Sequence, residues 1–118
     1  MLVIVLASFV LAAAVGEPLQ LCPVGTVQLA VAPVAMDMSG YNCAQAVGIA
    51  APDLLQNKRL STAQVATFRQ TKACQVFHDV LVRALRGIAP PCVDRSTMRS
   101  TTALGNTTFE DRVASLTA

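Results

Sequence analysis

The sequence predicts an all-α protein, a small helical bundle stapled by disulfides. Three observations carry that prediction: an amphipathic stretch from Cys74 to Ile88, a capping-box sequence at Ser61-Thr62-Ala63-Gln64, and four cysteines that all follow an apolar amino terminus. No segment alternates apolar and polar residues for long enough to require a sheet.

The amino terminus reads as a signal peptide, residues 1–16. Leu2 to Val15 carry no charge, and the run falls short of the roughly 20 apolar residues that span a bilayer. Small residues at its end offer two cleavage sites, Ala12-Ala13-Ala14 and Ala14-Val15-Gly16. Cutting after Gly16 is preferred, although no Lys or Arg stands near Met1. Removing 16 of the 118 residues leaves 102, enough for one domain. A domain of that size gains usefully from disulfides, and the leader places them outside the cell. Residues 17–92 are expected to form the helical domain and 93–118 a Ser/Thr-rich tail.

The first helical stripe is Val24, Val27, Val31, Val34 or Ala35, and Met38. Pro23 suits its start, and Pro33 is expected to kink or split it. Asp37 to Asn42 reads as a turn, with Asn42 capping a short helix from Ala44 to Ile49. Pro52-Asp53 interrupts the chain before Leu54-Leu55. At Ser61 the serine is placed to accept from the Gln64 amide while the glutamine reaches back, and Leu60 with Val65 are placed as a hydrophobic staple. Val65 and Phe68 then point inward, and the chain stays largely helical to about Arg86. Cys74, Phe77, Leu81, Leu85 and Ile88 share one face of that last helix; Lys72, Asp79, Arg83 and Arg86 share the other. Asp79 and Arg83 are spaced as an i,i+4 ion pair. Gly87 and Pro90-Pro91 stop the helix. In the tail, Phe109, Val113 and Leu116 suit a short helix capped by Thr107 and Glu110. Asn106-Thr107-Thr108 is an N-glycosylation sequon.

Composition excludes several functions. A net charge of +2, no Trp and one Tyr leave neither a basic stripe nor a stacking platform for nucleic acid. No cofactor, metal or catalytic residue is expected. The only histidine, His78, has no second ligand near it, and no C-x₂-C pair exists for zinc. There is no G-x-S-x-G elbow, H-E-x-x-H pair or glycine-rich phosphate loop. Four cysteines allow three connectivities.

Several pieces, in order, resemble the elicitins and elicitin-like proteins, small secreted sterol-binding proteins of oomycetes. The pieces are Ser39-Gly40-Tyr41-Asn42-Cys43, Gly48, Ser61-Thr62-Ala63-Gln64, Ala73-Cys74 and Ala89-Pro90-Pro91-Cys92, within some seventy residues from Cys22 to Cys92. That family carries six cysteines in three bridges. Its third cysteine position falls on Arg69, and the tail has no counterpart of the sixth, so a whole bridge is missing without leaving an orphan thiol. The resemblance implies the pairs Cys22–Cys92 and Cys43–Cys74.

It also implies a lipid carrier, with a sterol or other apolar lipid held between helices and recognition as a defence elicitor by a plant host receptor. The inward-facing candidates for such a cavity are Val27, Val31, Met38, Leu54, Leu55, Val65, Phe68, Phe77, Leu81 and Leu85. Two tyrosines found in sterol-binding members fall on Val65 and Ile49 here, which leaves a fatty acid, another apolar ligand or no ligand at all open beside a sterol. Arg83-Ala84-Leu85-Arg86 matches a host-entry motif of other oomycete effectors, but the helical wheel already accounts for both arginines. The alternative to a carrier is a secreted structural or interaction protein, its core filled and its tail a glycosylated spacer.

Overall fold

A computed structural model describes residues 18–56 and 58–117; the expected leader lies outside them. Among the described residues six α-helices follow one another: α1 (Thr26–Ala35), α2 (Met38–Val47), α3 (Thr62–Gln70), α4 (Lys72–Arg86), α5 (Thr101–Gly105) and α6 (Phe109–Leu116). A 3₁₀ turn, Ala51–Leu55, separates α2 from α3. Among the described residues there is no strand, only isolated bridges joining Leu21 to Val93, Val93 to Ser100, and Leu60 to Thr117. The protein is a disulfide-stapled helical bundle.

α4 is its hub, and the other five α-helices all pack on it. The reason is its amphipathic pattern: Cys74, Phe77, Leu81, Leu85 and Ile88 are buried, while Lys72, Asp79, Arg83 and Arg86 are exposed. Asp79 and Arg83 form no salt bridge; the pairs among the described residues are Lys58–Asp53 and Arg69–Glu110. Cys43–Cys74 fastens α2 to α4, and Cys22–Cys92 fastens the start of the described chain to the loop after α4.

Local chemistry sets the helix ends. Ser61 accepts from the Gln64 amide at 3.1 Å, and the Gln64 side chain accepts from the Ser61 amide at 3.0 Å, completing the capping box. The long helical stretch expected from Ser61 onward breaks once, at Thr71, whose backbone is extended (φ −84°, ψ 118°). Three expectations nearer the amino terminus need correction. α1 begins at Thr26, after a left-handed Gly25, and Val24 is exposed. Pro33 does not split α1, because it lies in the last turn and forgoes a single helical bond. Asp37 to Asn42 is not a turn: Asp37 caps α2 by accepting from the Ser39 amide at 2.9 Å, leaving Met38 exposed.

Gly40 explains why that segment reads as a turn. It sits inside α2, where a Cβ would lie 2.9 Å from the Phe77 ring. The residue is there for close helix packing, not for backbone freedom.

The segment from 93 onward is not a spacer. Val113 and Leu116 join the main core, and Phe109 stacks on Phe68 with ring centroids 5.5 Å apart. The cap of α6 is Thr108, which accepts from the Asp111 amide at 3.1 Å, rather than Thr107.

Candidate functional site

The same inward face of α4 that fills the core at Phe77 borders open space one and two turns later. A groove of about 500 Å³ is walled by Val27 and Val31 of α1, Leu55, Leu81 and Leu85 of α4, and Leu104 of α5. Gln56, Asp94, Ser96, Thr97 and Arg112 complete it. That volume lies within the range of small-molecule sites, which are mostly apolar with a few placed polar groups. A smaller recess of about 220 Å³ adjoins the groove, sharing Leu81, Leu85, Leu104 and Arg112 as common wall. His78, Arg99, Thr107, Asp111 and Ser115 are among its other lining residues.

Arg112 stands between the two hollows and is only 9% exposed. Its Nη2 donates to the Leu54 carbonyl. Neither salt bridge among the described residues involves it. Burial pushes its pKa down to about 10, which leaves it cationic at neutral pH. Asp94 is buried too, and burial opposes its ionisation. Hydrogen bonds from Thr97 and Ser96 outweigh that effect and hold the carboxyl below its usual range. Its oxygens thus serve the turn at 95–97.

His78 is 3% exposed, with its Nε2 2.9 Å from the Thr107 carbonyl oxygen. That bond makes Nε2 the protonated nitrogen. Nδ1 is then a buried acceptor without a partner. Burial lowers the His78 pKa, aided by the nearby Arg112 charge and opposed by the Thr107 bond and Asp79. The imidazole is therefore neutral, and among the described residues no carboxylate or nucleophile is bonded to it.

Among the residues proposed for a ligand cavity, Val27, Val31, Leu55, Leu81 and Leu85 line the groove. Leu54, Phe68 and Phe77 do not. They are sealed in the packed core and line neither the groove nor the recess. Val65 is half-buried against that core, and Met38 is exposed. Periodicity marks the inward face of a helix but does not distinguish a filled interior from a hollow one. Leu104 and Arg112 were not foreseen. Arg112 left a trace: it falls between Phe109, Val113 and Leu116 on the apolar stripe of α6, where a charge needs a reason.

No protein-family model, curated protein or solved structure matches the chain. No helix among the described residues is long and apolar enough to cross a membrane, and no group of metal-ligating side chains occurs among them. Asn106 is exposed at the end of α5, accessible to a glycan. Leu85 of the Arg83–Arg86 motif is buried and Arg86 Nη1 donates to the Gly105 carbonyl at 3.1 Å, so that motif is not a free linear signal.

Proposed function

We propose that this protein is a secreted, non-catalytic elicitin-like carrier of a sterol or other lipid, recognised by plant hosts as a defence elicitor. The observation that carries the reading is the apolar groove between α1, α4 and α5, with a buried cation at its inner wall. An apolar ligand there would remove Val27, Val31, Leu55 and Leu104, all only partly buried, from water, at about 25 cal/mol per Å². The disulfides support the export part of the reading, because such bonds persist in oxidising compartments. The cysteine pairs are those that the elicitin resemblance implies. The residue standing at the family's missing third cysteine, Arg69, pairs with Glu110 at 3.7 Å, in the segment where the sixth would lie.

The test is titration of the disulfide-bonded protein with a fluorescent sterol and, in parallel, a fluorescent fatty acid. Saturable binding near one ligand per chain, lost on reduction, is the expected result. Failure of both ligands to bind a folded protein would overturn it in favour of the alternative, a secreted interaction protein. A specific observation favours that alternative: Leu29, Met36, Met38 and Tyr41 are exposed around the outside of α1 and the start of α2.

A further inference from the structure

The groove and the recess differ in chemistry, and Arg112 is where they meet. The groove side offers Val27, Val31 and Leu55; the recess side offers Arg99, Thr107 and Ser115. A hollow with an apolar arm and a polar arm fits a molecule with one apolar and one polar end. A sterol's hydroxyl would need only a neutral partner, whereas this chain places a guanidinium at the junction.

The charge there is under-used. Arginine carries five N–H donors, and among the described residues the guanidinium of Arg112 makes one hydrogen bond, to the Leu54 carbonyl. None of its nitrogens is both sealed from solvent and unpartnered; that condition is met only by His78 Nδ1 among the described residues. The remaining donors are therefore not sealed from solvent, and Arg112 lines both hollows. A buried cation is expensive unless paired, and the two nearby carboxylates do not pair it. Asp94 spends its oxygens on Ser96 and Thr97, and Asp111 is exposed at the rim.

From this we infer that the site takes a long-chain carboxylate, its head bonded by Arg112 at the junction and its chain laid along Val27, Val31 and Leu55. The inference rests on the carrier reading and adds the ligand's charge. Arg112 would supply paired N–H donors in the plane that a carboxylate matches, with Arg99 at the recess mouth as a second, more exposed cation.

The experiment compares cis-parinaric acid with its methyl ester, and with dehydroergosterol, on the unaltered disulfide-bonded protein. The acid is expected to bind roughly ten- to a hundredfold more tightly than the ester, the range for a hydrogen-bonded charge. Equal affinities for acid and ester, or binding of the sterol alone, would overturn the carboxylate inference while leaving the carrier reading intact. No binding of any of the three would overturn both. Arg112→Gln should abolish the preference for the acid over the ester. Should that variant fail to fold, Arg112→Lys retains the charge without the planar fork and should narrow the preference severalfold; an unchanged preference in either folded variant would count against the assignment.

Discussion

The two halves of α4 present one continuous apolar face to two different surroundings. In the amino-terminal half, Cys74 is bonded to Cys43 and Phe77 is 1% exposed against Gly40. In the carboxy-terminal half, Leu81 and Leu85 are buried residues that also wall an open groove. The difference arises from what lies opposite. α2 carries a glycine and a cysteine where it meets α4, so the helices close to contact. Across the groove, α1 and α5 offer only half-buried side chains, and Arg112 keeps a charged group at the junction. An apolar face thus becomes either core or wall according to its neighbour.

The largest expected contrast comes from truncating one residue in each half. Phe77→Ala should destabilise the protein by about 3–5 kcal/mol, because a sealed core leaves a cavity that cannot collapse fully. Leu85→Ala should cost only about 2 kcal/mol, since space already adjoins it. Urea denaturation of both variants checks the pair, and equal losses would break the comparison.

Adding volume sharpens it from the other side. Gly40→Ala would force a methyl to within 2.9 Å of Phe77 ring carbons and should destabilise by about 1–3 kcal/mol. Leu104→Phe adds more volume but directs it toward a hollow, and should change stability by less than about 1 kcal/mol while weakening lipid binding. If the groove variant proves the less stable, the hollow is closed in solution.

The smallest effect is a pH dependence on the recess side, at His78. His78 has a folded pKa below its ordinary 6.5, so the unfolded chain binds the extra proton first. Stability is therefore full above about pH 6.5 and declines as pH falls through the window below it. Urea midpoints of the parent and of His78→Gln, measured between about pH 7 and pH 5, should show the steeper decline in the parent. Parallel declines would mean that the imidazole is not held neutral.

Much of this could be read from residues. The α4 face, the Ser61–Gln64 box and the eight-residue helix from Phe109 to Leu116 follow from 3.6-residue periodicity and from side chains that cap their own backbone. Asp37 and Gly40 were misread because Asp, Ser, Gly and Asn in series favour turns locally, while the Phe77 ring that makes Gly40 necessary is remote in sequence. The candidate site was half legible. Val27, Val31, Leu55, Leu81 and Leu85 emerged as inward residues, but so did Phe68 and Phe77, which fill the core instead.

By itself the sequence determined the start of α3, the α4 helix and its apolar side, and the α6 helix, because spacing and capping act over a few residues. The cysteine pairs followed only from resemblance, since four thiols alone allow three pairings. Tertiary structure decided that the chain after Cys92 returns to the core, that α1 packs on α4 yet leaves a groove beside Leu81 and Leu85, and that Arg112 lines that space. Those outcomes depend on which surfaces meet at long range, where packing of whole side chains, rather than any local preference, sets what is filled and what stays open.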